Sequence, residues 1–132
     1  MKNFIIMLLL AFSFSAIAQK SVLTMTGSDT IVNTASVSVS QTYSSEYGNV
    51  AFQAIVVKVS GTVAGTVILQ GSLDGSNYIS IGIDTLALTD VATQSHLWSV
   101  DANPYKYYRL IGTGSGTMAA IISGKALGRV KD

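Results

Sequence analysis

Apolar and polar side chains alternate with a period of two along most of the chain. The segment Ser36–Ser40 reads Ser-Val-Ser-Val-Ser without a break, which is the pattern of a strand with one buried and one solvated face. The segment Val50–Val59 (VAFQAIVVKV) is apolar on both faces apart from Gln53 and Lys58. A strand of this kind is covered on both sides, either within its own sheet packing or by another subunit. The alternation predicts an all-β protein.

Further segments of strand character follow each other at short intervals: Val22–Met25, Thr66–Gln70, Tyr78–Ile83, Thr85–Leu88, His96–Val100, Tyr105–Ile111 and Met118–Ile122. Turn signals separate them, among them Asp74–Gly75 and the glycine-rich segment Gly112–Gly116, which we expect to be a hairpin tip. The pattern predicts an antiparallel β-sandwich, jelly-roll-like, with about eight or nine short strands. Residues 124–132 are expected to fray or to dock onto a neighbouring chain.

The first 18 residues have the composition of a secretory signal peptide. A basic start at Lys2 precedes the apolar run Phe4–Phe14, and Ala16-Ile17-Ala18 provides a small-residue cleavage pattern. We expect cleavage before Gln19, export to the periplasm, cell surface or exterior, and one β-sandwich domain over residues 19–132. A retained membrane anchor is the alternative, although the run is short for a span of about 20 residues.

The charge balance points to no electrostatic partner. The 132 residues contain 8 Lys and Arg and 7 Asp and Glu, so removal of Lys2 leaves seven of each sign. Neither a nucleic-acid partner nor a membrane partner after signal cleavage is therefore expected. Charged residues make up 11% of the chain, against about 25% in ordinary soluble domains. Such a surface opposes self-association weakly.

Catalytic chemistry has little support in the residues. His96 is the single histidine, cysteine is absent, and no G-x-S-x-G segment occurs. The aspartates stand mostly at strand ends and turns, without the D-x-D-x-D spacing of a calcium loop. We expect no enzyme, no metal site and no cofactor.

One group of side chains has the composition of a contact surface. Trp98, Tyr105, Tyr107 and Arg109 lie on two predicted strands, with the last three on one face of theirs. Aromatic rings and arginine dominate protein and sugar contact sites, so an outward row would bind a partner. Packing of these rings into the core is the alternative.

Two motifs resemble known families. The segment Val67–Tyr78 (VILQGSLDGSNY) holds the expected hairpin of Asp74, Gly75, Asn77 and Tyr78, and Tyr107–Leu110 (YYRL) follows about thirty residues later. Together they resemble small all-β virion structural or decoration proteins of tailed phages, especially those infecting Bacteroidetes, over roughly residues 55–124. A weaker resemblance is to discoidin-like carbohydrate-binding jelly rolls, whose tryptophan is replaced here by Tyr78.

These observations lead to two hypotheses. The first is a non-enzymatic structural or decoration protein of a virion or surface assembly, and the alternative is an exported carbohydrate-binding module. The segment Val50–Val59 places Phe52, Ala54 and Val56 on one face and Ile55, Val57 and Val59 on the other. Since a two-layer sandwich covers one face of each sheet, we expect whichever face is outermost to be buried in a homo-oligomer or against other structural subunits. A glycan is the partner under the alternative.

Overall fold

A computed structural model describes residues 21–42 and 47–130 as an all-β domain. Its strands are β1 Ser21–Thr24, β2 Asp29–Val32, β3 Ser36–Thr42, β4 Tyr47–Gly61, β5 Gly65–Ser72, β6 Ile79–Leu88, β7 Thr93–Val100, β8 Tyr107–Gly114 and β9 Met118–Val130. No helix that could cross a membrane occurs in these two ranges. The expected signal peptide, residues 1–18, lies outside the described residues.

The strands form two antiparallel sheets. The first sheet has the order β1-β9-β4-β7, with β2 also paired to β9, and the second has the order β3-β8-β5-β6. From β2 onward the chain changes sheet at every connection except the one between β5 and β6, which is jelly-roll connectivity. The predicted antiparallel sandwich is confirmed.

The core lies between the inward faces of the two sheets. On β4 every second side chain, from Val50 to Val56, is buried, and the other face of this strand, which was expected to be covered as well, is partly or fully exposed. Phe52 stacks on Tyr108 of β8 with ring centroids 4.6 Å apart. The Tyr108 hydroxyl donates to Asn103 Oδ1 at 2.6 Å, and burial raises the pKa of Tyr108 to about 12. The centre of the sandwich is therefore apolar, and its one phenol is hydrogen-bonded.

Both sides of the sandwich are closed. On one side, backbone hydrogen bonds of 2.8 and 3.0 Å join Thr26 to Ser40 of β3. On the other side, the carbonyl of Asp84 on β6 accepts a hydrogen bond from Trp98 Nε1 on β7 at 3.0 Å. The first link joins the connection between β1 and β2 to edge strand β3, and the second joins edge strands β6 and β7.

The structure joins two predicted strands into one. Tyr78–Ile83 and Thr85–Leu88 were expected to be separate, but β6 is continuous from Ile79 to Leu88. The pairing moves from Ile68↔Thr85 to Gln70↔Ser80, so an extended bulge in β6 lies between these pairs. The bulge contains Asp84 and brings it to β7.

The expectation of a hairpin at Gly112–Gly116 is wrong. β8 belongs to the second sheet and β9 to the first, so the connection is a corner between sheets. Gly112 and Gly114 lie within β8 and face inward, where Ile31 packs closely against both. Glycine clusters mark close backbone approach as well as turns, and the sequence pattern does not distinguish the two.

The expectation that residues 124–132 fray is also wrong for the described part. β9 continues to Val130 and pairs with β1 on one side and β4 on the other. Gly124, Ala126 and Gly128 face the core. The small residues and basic side chains of this segment gave no strand pattern in the sequence, because their burial depends on partners far away in sequence.

Strand β2 was not predicted either, since it has a single buried side chain, Ile31, and therefore shows no alternation.

Candidate functional site

The hairpin between β5 and β6 is organised by one carboxylate. Asp74 Oδ1 accepts hydrogen bonds from the backbone N–H groups of Asn77 and Ser76, both at 2.8 Å, and from the Ser72 hydroxyl at 2.9 Å. Asp74 Oδ2 accepts from Asn77 Nδ2 at 2.7 Å. The backbone amide of Asn77, followed by its side chain, holds the pKa of Asp74 far below its usual value. Both oxygens are engaged in shaping the loop.

The tip of this hairpin rests against β8. Gly75 has a φ of 77°, a conformation that glycine adopts readily. A Cβ placed on Gly75 would lie 3.4 Å from the Tyr107 ring. The predicted hairpin of Asp74, Gly75, Asn77 and Tyr78 is present, and it stands beside the outward row of β8.

Tyr78 and Arg109 form the centre of a polar aromatic surface. The Arg109 guanidinium carbon lies 4.0 Å from the Tyr78 ring centroid, and Arg109 Nε donates to Gln70 Oε1 at 2.7 Å. Gln70 is the β5 residue opposite Arg109 in the ladder. Lys106 Nζ lies 5.4 Å from the Tyr107 ring centroid. We call the set of Gln70, Tyr78, Lys106, Tyr107 and Arg109 the Arg109 surface.

Two members of the predicted contact surface lie elsewhere. Trp98 is 2% exposed and belongs to the core on the inner face of β7. Tyr105 precedes β8, so the alternation of that strand does not extend to it. Its ring lies against Gly71, where an added Cβ would be 2.6 Å from ring atoms, and it meets Tyr108 edge-on at 5.9 Å. Of the predicted four, Tyr107 and Arg109 stay together on the outer face.

Sequence reasoning missed the two residues that hold Arg109 in place. Tyr78 was expected only in the hairpin, and Gln70 was not singled out. The proximity of Gln70 follows from the β5–β8 register, in which it faces Arg109 across 39 positions of sequence. Tyr78, at the end of the hairpin between β5 and β6, lies against Arg109 from there. A period-two pattern indicates the face of each residue and not its cross-strand partner.

A shallow groove of about 260 Å³ runs beside Tyr105, at the base of the hairpin. It is lined by Gly71, Ser72, Leu73, Asp74, Asn77, Ile79 and Tyr105. Leu73 and Ile79 are 71% and 56% exposed at its rim. Because Asp74 is committed to loop hydrogen bonds, the groove offers mainly apolar contacts.

The outer face of the first sheet is the second candidate surface. It carries four outward side chains on each of three paired strands: Thr93, Ser95, Leu97 and Ser99 on β7, Ala51, Gln53, Ile55 and Val57 on β4, and Ile121, Ser123, Lys125 and Leu127 on β9. We call this set the β4 outer face. Lys125 is its one charged side chain. A groove of about 250 Å³ runs across it between Leu97 and Val22.

The single histidine has a structural position. His96 Nε2 lies 2.9 Å from Asp84 Oδ2, and its ring meets Trp98 edge-on at 4.6 Å. These contacts add to the link between β6 and β7. Within residues 21–42 and 47–130, no group of three or more histidine, aspartate or glutamate side chains could hold a metal ion.

No protein-family model and no curated protein matches the chain. Among solved structures, the chain is similar to the mitogen of Yersinia pseudotuberculosis, with a TM-score of 0.52, 13% identity, and coverage of 88% of this chain and 89% of the mitogen. The SPBc2 prophage-derived protein YomS matches with a TM-score of 0.49 and 8% identity, over 84% of this chain and 95% of YomS. A family 22 carbohydrate-binding module of Clostridium thermocellum Xyn10B matches with a TM-score of 0.45 and 13% identity, over 89% of each chain. The likeness to the mitogen concerns the fold alone.

Proposed function

We propose that this protein is a non-enzymatic structural subunit that associates with further copies of itself through the β4 outer face. The observation that carries the proposal is the exposure of large apolar side chains on one face. Leu97 is 64% exposed, and Val22, at the adjoining edge strand, is 67% exposed. Contiguous apolar surface of this kind is typical of interaction sites.

Charge favours a second copy as the occupant of this face. Twelve outward positions, four on each of three strands, carry the single charge of Lys125. Two such faces can meet with little repulsion if the two lysines are offset. Arg129, the next outward position of β9, lies at the end of the face. Since no acidic side chain is among the twelve positions, a basic partner finds no complementary charge on them, whereas an identical face offers the same apolar and hydroxyl groups.

The size of the face suits a weak interface. The three strands of this face and a fourth row formed by β1 and β2 beside β9, about 4.8 Å apart and about eight residues long at about 3.3 Å per residue, span about 500 Å². Two copies would bury about 1,000 Å², near the lower limit for a specific interface. In a symmetric contact, the exposed Leu97 side chain of each copy could enter the groove beside Val22 and Leu127 of the other copy.

The test measures molar mass by light scattering on residues 19–132 from low to high micromolar concentration. The wild type should associate as concentration rises, and Leu97→Lys should remain monomeric because it places a charge in the contact. Leu73→Lys is the matched control, since Leu73 is 71% exposed on the hairpin of the other sheet. A wild type that stays monomeric at high micromolar concentration contradicts the proposal, as does equal association of Leu97→Lys.

A second candidate function is an exported carbohydrate-binding module, and the Arg109 surface favours it. Tyrosine rings and polar side chains on one face supply the stacking and hydrogen-bonding groups that sugars need. This surface lies on the second sheet, opposite the β4 outer face, so self-association would leave it free.

A further inference from the structure

We propose that the Arg109 surface binds the carboxylate of an acidic sugar, such as the uronic acid unit of a polysaccharide. This inference rests on the second candidate function, glycan binding, and assigns its ligand class. The residues that carry it are Arg109, Tyr78, Tyr107 and Lys106, together with hydroxyl groups of β3.

Arg109 is held in place before any ligand arrives. Its guanidinium lies over the Tyr78 ring at 4.0 Å, and its Nε is used by Gln70 at 2.7 Å. The two terminal amino groups have no hydrogen-bond or ion-pair partner within residues 21–42 and 47–130. A guanidinium fixed at Nε and at one ring face keeps its terminal donors for a planar carboxylate.

No carboxylate of the described chain neutralises this surface. Neither Arg109 nor Lys106 forms a salt bridge within residues 21–42 and 47–130. The acid of the neighbouring hairpin, Asp74, accepts four hydrogen bonds from its own loop. The surface therefore presents two positive charges that a ligand can compensate.

The surroundings of Arg109 suit a sugar ring. Tyr107 lies two residues before Arg109 on the same outward face and is half-buried, with Gly75 and Lys106 beside its ring. Across the β3 ladder, Ser40 is opposite Arg109 and Thr42 is opposite Tyr107. An aromatic ring and a guanidinium on β8, with hydroxyl groups beside them on β3, match a ligand that combines a ring face, a carboxylate and hydroxyls.

A nucleic acid fits the same surface less well. Its binding requires several cations that follow a phosphate backbone, and this surface offers Lys106 and Arg109 alone among its defining residues. A uronic acid polymer carries one carboxylate on each sugar unit, and one carboxylate is what the terminal amino groups of Arg109 can bind. A single-stranded oligonucleotide is therefore included in the test as a competing ligand.

The experiment titrates residues 19–132 with oligogalacturonate and with the same oligomer after full methyl esterification, using calorimetry. The pair differs only at the carboxyl group, where the negative charge is replaced by a neutral methyl ester, so it tests the inferred contact directly. Oligomers of mannuronate and guluronate, and a single-stranded oligodeoxynucleotide, are measured in parallel. We expect at least one uronate series to bind, with affinity falling about 10- to 100-fold on loss of the carboxylate charge.

Variants locate the site. Arg109→Gln should weaken uronate binding by the same factor, and Arg109→Lys should restore part of it, because the charge returns without the fork. Arg129→Gln is the matched control, since Arg129 is an exposed arginine on β9. Circular dichroism checks that each variant is folded.

The outcomes separate the inference from the function on which it rests. Equal binding of the charged and esterified oligomers retains glycan binding and overturns the carboxylate contact. Absence of binding to every oligomer at millimolar concentration overturns both. Binding of the oligonucleotide alone also overturns the inference, as does uronate binding that is unchanged in Arg109→Gln.

Discussion

Individual glycines decide how closely the two sheets approach. A Cβ on Gly112 would lie 2.7 Å from Ile31 Cδ1 and 3.1 Å from Ile122 Cδ1. Both neighbours are fully buried isoleucines, so they have little freedom to move away. The absence of a side chain at Gly112 therefore belongs to the packing of the core rather than to a turn.

We predict that Gly112→Ala lowers the free energy of unfolding by about 1 to 3 kcal/mol, because the added methyl group overpacks the core. Urea denaturation measures the effect. The added cost should be smaller in an Ile31→Val background, which removes the Cδ1 atom that the methyl group meets. Equal costs in both backgrounds would show that the contact with Ile31 does not determine the need for glycine.

At the scale of elements, the connection from β6 to β7 is tied to the end of β4. Asp90 Oδ1 lies 2.8 Å from Lys58 Nζ and accepts the Val63 backbone N–H at 2.8 Å. The hydrogen bond from Lys58, followed by that from Val63, holds the pKa of Asp90 below its usual value. The folded state therefore prefers the charged carboxylate.

Because the folded state prefers the charged form of Asp90, we predict that the stability of the protein falls as the pH is lowered. Asp90 contributes stability above the ordinary carboxyl pKa of about 4, and that contribution is lost as the pH falls through its lower folded pKa. Asp90→Asn should be less stable than the wild type at pH 7, and the difference should shrink toward pH 3.

Thermal unfolding at pH 7, 5 and 3 measures this dependence. Lys58→Gln should reduce the same pH dependence because it removes the first partner of Asp90. Lys125→Gln, on the outer face of β9, serves as the control and should follow the wild type. A difference between Asp90→Asn and the wild type that is constant from pH 7 to pH 3 would contradict the assignment.

At the scale of the whole molecule, the fold depends on pairings between distant parts of the chain. β9 pairs with β1, β2 and β4, so it joins the first strands of the sequence to the last. Such a topology requires long loops to close before the core forms, which predicts slow folding, in milliseconds to seconds.

A truncation tests the role of β9. A chain that ends at Ser123 loses the half of β9 between β1 and the first half of β4, including inward Ala126. We expect this chain to be unfolded by circular dichroism and by its rapid proteolysis. A chain that ends at Val130 retains every paired residue of β9 and should fold, and a folded protein ending at Ser123 would contradict the central role of this strand.

Each of the two proposed roles uses a different outer face of the sandwich. Self-association through the β4 outer face and ligand binding at the Arg109 surface use opposite sheets. A symmetric pair would then present two ligand sites on its exterior, which favours attachment to a repeating polymer through effective concentration.

The sequence by itself determined the fold class, most strand positions and the inward and outward sides of strands such as β3, because side chains alternate locally with a period of two. It also indicated the Asp74–Gly75 hairpin, whose hydrogen bonds lie within six residues. The tertiary structure alone decided that Trp98 is core, that the last residues form a central strand, and that Tyr78 and Gln70 hold Arg109. The physical reason is register: cross-strand neighbours and the spacing of the sheets arise from contacts between distant segments, and alternation within one strand carries no information about its partner.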